Sequence, residues 1–162
     1  MLLKNGQNPS VGTIVASMHP AYQFKTWGRD GTFAAMILDA AGFHAEAELY
    51  LRWMSTAEVR CTVWRCNLYC CLVSPYPPWI ASSQLRDGGG FHTCYSVWTG
   101  EVVMFVEPQY DSTGEFPMAV LHHILVHPDP AFLDATMPRV RELLQFFVEN
   151  VRLPAVASVG GE

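Results

Sequence analysis

Charge is scarce in this sequence, and basic charge is scarcer still. Of 162 residues 15% are charged, ten basic against fifteen acidic, and no block of Lys or Arg occurs. A protein that tracks a phosphate backbone needs a basic stripe, so no nucleic-acid partner is expected. No run of eighteen apolar residues exists, so no spanning helix and no membrane partner are expected either. The opening Met1-Leu2-Leu3-Lys4-Asn5-Gly6 meets polar residues at once, without a signal-peptide core. No Gly-rich loop is followed by Lys and Ser or Thr, and no nucleophile elbow holds a serine. Apolar residues, by contrast, make up 50% of the chain and aromatics 12%, which excludes disorder as a description of the whole and suffices for a sizeable core.

Cysteine is few and unevenly placed. Four of the five (Cys61, Cys66, Cys70, Cys71) fall within eleven positions, and Cys94 stands apart. Crowding of that kind suits a metal knuckle or part of a disulfide framework. Zinc sites show two separated ligand pairs, and here no second Cys or His pair follows at finger-like spacing. No metal and no cofactor are therefore expected.

Four helices are legible. Tyr22, Phe24 and Trp27 form a short extended pattern ending at Arg29-Asp30, where Asp30 is expected to cap a helix to about Ala41. Phe33, Met36, Ile37 and Ala40 are spaced for its buried face, and Gly42 for a left-handed cap. A second helix, His44 to Met54, places Ala47, Tyr50, Leu51 and Met54 on one face and Glu46, Glu48 and Arg52 on the other. A third is expected to open at Gly114 with Pro117 in its first turn, and His127-Pro128-Asp129-Pro130 breaks it. A fourth starts at Pro138, with Val140, Leu143, Leu144, Phe147 and Val148 at i, i+3, i+4, i+7, i+8. Two helical hairpins thus flank a middle, residues 55–113, without helical period. Within it, residues 61–85 hold three prolines, four cysteines and two tryptophans but a single charged side chain, Arg65. Asp87-Gly88-Gly89-Gly90-Phe91 then resumes the texture of a loop with short strands. His123 and His127 lie four apart without an accompanying Glu and are expected at a solvated helix end.

Two clusters carry candidate chemistry. Tyr22-x-Phe24-x-x-Trp27-Gly28-Arg29-Asp30 sets an aromatic platform beside an Arg–Asp pair. The flat apolar face of a pyranose packs on such rings, and its vicinal hydroxyls need charged donors and acceptors in fixed positions. The second cluster runs from Trp98-Thr99-Gly100-Glu101 through Phe105-Val106-Glu107-Pro108-Gln109-Tyr110-Asp111 to Gly114-Glu115, on a loop leading into a helix. Each has a plainer reading, with the aromatics as core and Asp30, Asp111 or Ser112 as helix caps.

Taken in order, the motifs resemble the opening of a glucoamylase-type catalytic domain of glycoside hydrolase family 15. Trp27-x-Arg29-Asp30, a helix ending at Gly42, and Glu48-x-x-Leu51-x-Trp53-Met54 resemble its first hairpin. Phe91-His92-Thr93, Trp98-Thr99-Gly100, and Gln109-x-Asp111 with Gly114 are similar to its next substrate-contacting loop. The resemblance covers residues 20–60 and 86–150. It implies an all-α fold, a partial (α/α)6 toroid of helical hairpins with a long irregular region in the middle. It implies release of glucose from the non-reducing ends of an α-glucan or small α-glucoside, with inversion and without a metal. By the same resemblance Arg29 and Asp30 grip the terminal glucose, Trp27 flanks the pocket, Phe105 stands where some members place a tryptophan over the next sugar, and Gln109 and Asp111 support the wall. A non-catalytic carbohydrate-binding or regulatory module on the same hairpins, a trehalase-type enzyme and a cysteine-based metal protein are the rival readings.

Departures from the pattern matter as much. Inversion needs an acid and a base about 6.5–9.5 Å apart. Glu162 falls near the family's acid but lacks the Trp and Asp that surround it, and no residue corresponds to the base, so catalytic residues are not assigned. Twelve helices of about 11–12 residues with links of about 5 need roughly 190 residues, more than this chain has. Residues 1–162 are therefore expected to form an incomplete catalytic domain that is inactive alone. Residues 61–85 read as a foreign insertion, since Glu58-Val59-Arg60 joins naturally to Asp87-Gly88, and 151–162 as an atypical tail. Family members are often secreted.

Overall fold

The computed structural model describes residues 5–17, 19, 24–57, 90–100 and 102–150, and the side chains of His92, Thr93, residues 102–109 and Asn150 lie outside what it describes. The elements are β1 (Lys25–Trp27), α1 (Gly28–Ala40), α2 (His44–Thr56), β2 (Phe91–Ser96), β3 (Val102–Gln109), α3 (Tyr110–Val126) and α4 (Pro130–Asn150). The fold is all-α in class, and its two hairpins, α1–α2 and α3–α4, sit side by side as in a partial toroid. Residues 61–85, with Cys61, Cys66, Cys70 and Cys71, Tyr22 and the tail 151–162 lie outside the described residues.

The first hairpin closes as its sequence dictates. Gly42 takes φ +83°, a conformation that a Cβ disfavours. The amide of Gly42 then donates to Asp39 O at 2.9 Å and that of Phe43 to Leu38 O at 2.8 Å, the paired bonds of a Schellman cap. In α2 the expected face is buried: Ala47, Tyr50, Leu51 and Met54. On its outer side Arg52 pairs with Glu48 at 2.5 Å.

Three boundaries differ from expectation. Trp27, not Asp30, is the N-cap of α1, and it caps without a side-chain bond. The β1 pairing holds Trp27 extended, so the helix starts at Gly28 and Asp30 lies in its first turn. α3 begins at Tyr110, four residues before Gly114, because the sheet delivers the chain there already turned, and Pro117 then lies inside the helix. α4 begins at Pro130, where the fixed φ of proline suits a first turn, and Asp129 Oδ1 accepts from the Ala131 amide at 2.9 Å. Pro138 is interior to it.

α1 and α3 run parallel and in register. Gly28 approaches Ser112 so closely that a Cβ would lie 2.9 Å from the serine Cβ. Eleven residues on in both helices, Asp39 meets His123 at 2.7 Å. α2 and α4 form the other layer, tied by Arg139, whose Nε and Nη2 donate to Ser55 O at 3.0 Å and Ala57 O at 2.6 Å while its guanidinium lies 5.7 Å over the Phe91 ring. A cation there also meets the negative end of α2.

The core lies between the layers, with Tyr50, Tyr95, Phe91, Phe116, Phe132, Leu51, Met54 and Leu143 fully buried. The expected buried face of α1 is corrected: Gly31, Thr32, Ala34, Ala35, Leu38 and Asp39 are inside, and Phe33 and Ile37 face outward. Small residues face the neighbours because α1 packs closely against both α2 and α3. Beyond their first turns, every exposed position of α1 (Phe33, Ile37, Ala40) and α3 (Met118, Leu121, Leu125, Val126) is apolar. The large side chains among Phe33, Ile37, Met118, Leu121 and Leu125 are 50–73% exposed. The exposed side of α4 is mixed, carrying Arg141, Glu142, Gln145 and Glu149 alongside Leu144 and Val148. Helices that are apolar all round belong to an inner layer.

A three-stranded antiparallel sheet, order β1-β2-β3, occupies the described part of the middle. Trp27 pairs with Cys94 and Gln109 with Phe91. The central strand thus holds the last residue of β1 and the last residue of β3, each of which leads directly into a helix. This arrangement brings the N-termini of α1 and α3 together. Among the described residues, no helix is long and apolar enough to cross a membrane.

Candidate functional site

Arg29, Asp30 and Asp111 meet where those two N-termini converge. Arg29 Nη1 lies 3.2 Å from Asp111 Oδ2, and Arg29 Nη2 lies 3.8 Å from Asp30 Oδ2. The three side chains are 40–48% exposed, so they are open to a ligand. Asp30 and Asp111 each stand in the first turn of a helix, where the dipole favours negative charge. Asp111 Oδ1 also accepts from the Ser112 amide at 2.7 Å, which fixes its carboxylate. Trp27, half-buried, is the residue immediately before α1. Sequence positions 29 and 111, far apart in the chain, are therefore neighbours.

Gln109 and Phe105 lie on β3, Gln109 as the residue directly preceding α3. Their side chains are outside the described set, so only their strand positions can be stated.

The floor of the site is closely packed. The Tyr50 hydroxyl donates to Gly28 O at 3.1 Å, and its ring lies so close to Gly31 that a Cβ there would come within 2.5 Å of it. Burial pushes the phenol of Tyr50 far above its ordinary value, so it stays a neutral donor. Cys94, opposite Trp27 on β2, is a buried free thiol, pushed up to about 12 by burial and so unreactive as a nucleophile.

Glu115 belongs to the same end of the molecule. It lies one turn beyond Asp111 on α3, and its Oε2 is buried without a hydrogen-bond partner. Burial pushes its carboxyl above the ordinary range, Asp111 pushes the same way, Arg29 opposes and Asp30 adds a smaller rise. Opening the third helix at Gly114 separates Asp111 from the helix and hides this i, i+4 relation. With α3 starting at Tyr110, the spacing alone places both carboxylates on one face.

The opposite end of the α1/α3 layer holds a second polar cluster. Asp39, 2% exposed, faces His123 Nδ1 at 2.7 Å, His44 Nδ1 at 2.8 Å and His122 Nδ1 at 3.6 Å, and His127 stacks on His44 with centroids 4.8 Å apart. His127 is exposed as expected, but His123 is fully buried against Asp39, a correction to the solvated helix end. The buried carboxylate on another helix supplies the reason, and periodicity within one helix does not reveal it. Among the described residues no group of three or more His, Cys, Asp or Glu is placed to hold a metal ion.

No family model matches the sequence, and no curated protein matches it. Solved structures do match. A wild-type glycosidase superposes over 92% of this chain with a TM-score of 0.66 at 17% identity. An E335A glycosidase in complex with glucose matches over 91% with a TM-score of 0.63, again at 17% identity. The chain shares their fold. It spans 38% of the length of each.

Proposed function

We propose that this chain is the sugar-gripping part of a glucoamylase-like hydrolase of glycoside hydrolase family 15, and that alone it binds the terminal glucose of an α-glucan or small α-glucoside without cleaving it. One observation carries the reading: Arg29 stands between Asp30 and Asp111 at the junction of two helix N-termini, beside Trp27. Each carboxylate accepts from a sugar hydroxyl, the guanidinium donates in return, and the indole offers an apolar face. Phe105 and Gln109, both on β3, are proposed as further residues of the site. Fold similarity to glycosidases, one of them holding glucose, supports this choice of ligand.

The acid and base of an inverting hydrolysis remain to be supplied by residues other than these. The outward apolar faces of α1 and α3 support an incomplete toroid, since more helices of the same kind would cover them. Residues 61–85 we take as foreign to the fold, on their composition; a spliced transcript lacking those codons is the expected result, and one retaining them in frame overturns it.

Isothermal titration with maltose tests the binding claim. Saturable binding is expected, abolished by Asp30→Ala with an unchanged far-ultraviolet circular dichroism spectrum, and no glucose is released. Glucose release that disappears in Asp30→Ala would show the chain to be a complete catalyst.

A further inference from the structure

We propose that Glu115 is a further sugar-contacting residue, whose partnerless buried oxygen Oε2 hydrogen-bonds as a donor to a hydroxyl oxygen of the ring gripped by Arg29 and Asp30. This assignment rests on the sugar-binding reading of the same site.

The geometry and the chemistry argue together. A buried polar atom without a partner costs roughly 1–3 kcal/mol and is retained at few places outside functional sites. Oε2 of Glu115 is one of five such side-chain atoms among the described residues, and it lies on the helix face that carries Asp111, one turn farther along α3. The charged and titratable groups near enough to act on it electrostatically are Arg29 and Asp30 on α1, Tyr50 on α2 and Asp111 on α3 itself. On the α4 side the neighbouring Gly114 meets the apolar Phe147 ring.

A sugar hydroxyl is both donor and acceptor. When it donates to the carboxylate of Asp30 or Asp111, its own oxygen is left needing a donor. Arg29 Nη1 donates to Asp111 at 3.2 Å and its other N–H groups serve further hydroxyls, so a second donor residue at this end of the molecule suits a ring that carries several hydroxyls. Glu115 fits because its surroundings keep its proton to higher pH than an ordinary glutamate keeps it. Only the hydrogen bond forms on binding; no covalent bond changes.

The sign of the pH effect follows. Binding is strongest where Glu115 is protonated and weakens as pH rises through its raised folded-state value. Ligand binding in that window takes up a proton.

Maltose titrations from pH 4 upward, in buffers of differing ionisation heat, test the assignment with three proteins. The unsubstituted chain should bind more weakly as pH rises and take up protons on binding. E115Q, which keeps an amide donor at every pH, should bind with a flat profile and no proton uptake. E115A should bind about tenfold more weakly at low pH, the loss of one hydrogen bond of about 1.4 kcal/mol. An E115A chain that binds as tightly as the unsubstituted one, or an E115Q chain that keeps the pH dependence, overturns the assignment while leaving the site itself intact. Absence of maltose binding by the unsubstituted chain at every pH overturns the site as a whole, and this assignment with it. Circular dichroism and urea midpoints of both variants report whether they fold.

Discussion

His123 Nδ1 lies 2.7 Å from Asp39 Oδ2 in the interior of the molecule, and this pair joins the far ends of the two inner helices. Asp39 stands buried in the last turn of α1, where the helix dipole disfavours a carboxylate, and its hydrogen bonds with His123 and His44 offset part of the cost of burying it. Removing one partner strands the other. Asp39→Ala is expected to destabilise the fold by about 1–3 kcal/mol, because it leaves the buried imidazole of His123 without its partner. Urea denaturation of Asp39→Ala, His123→Ala and the double variant forms the check. The double variant should cost clearly less than the sum of the two single changes.

Gly31 is expected to tolerate no side chain. The Cβ of Gly31→Ala would meet the Tyr50 ring and displace the hydroxyl from Gly28 O. Overpacking of this kind costs about 1–3 kcal/mol. Because Gly28 and Gly31 bracket Arg29 and Asp30, thermal denaturation and maltose affinity should fall together. A variant as stable as the parent would show that Tyr50 has room to move.

Glu115→Gln should make the protein more stable at neutral pH than the unsubstituted chain. A carboxyl whose folded value lies above its unfolded value binds its proton more tightly when folded. Stability is therefore lost as pH rises from the ordinary glutamate value through the folded one, and the amide, which has no proton to lose, is spared. Urea midpoints of the two proteins should coincide at low pH and separate as pH rises, with the variant higher.

Ile37→Lys and Leu121→Lys test the outward apolar face. Both side chains are more than half exposed, so each change should leave stability within about 0.5 kcal/mol. The double variant should remain soluble at higher concentration than the parent, measured by light scattering, because it replaces two exposed apolar side chains with charged ones. Equal self-association of the two proteins would show that this face is not what makes the isolated chain associate.

The helices were legible in the sequence where the signal is local. Gly42 declared its cap, and Ala47, Tyr50, Leu51 and Met54 declared the inner face of α2. α1 was misread because helical periodicity finds the larger apolar stripe, and here the larger side chains Phe33 and Ile37 point outward while Ala34, Ala35 and Gly31 make the close contacts. The early starts of α3 and α4 escaped detection for a similar reason: Pro117 and Pro138 look like first-turn residues, yet strand pairing and the Asp129 cap set the real starts. Arg29, Asp30 and Asp111 were legible as residue types in an ordered set of motifs. The 3.2 Å contact of Arg29 with Asp111 was not, because it depends on β2 pairing with both β1 and β3, a relation between distant segments. The burial of His123 depends likewise on Asp39, 84 positions away.

The most direct measurement is a maltose titration of the isotopically labelled chain followed by amide and indole nuclear magnetic resonance. The account predicts saturable shifts centred on the Trp27 indole and on the amides of Gly28, Arg29, Asp30, Asp111 and Ser112, where the two helix N-termini meet. Unchanged resonances there at saturating maltose, or shifts confined to the Asp39 end of the helices, would contradict it.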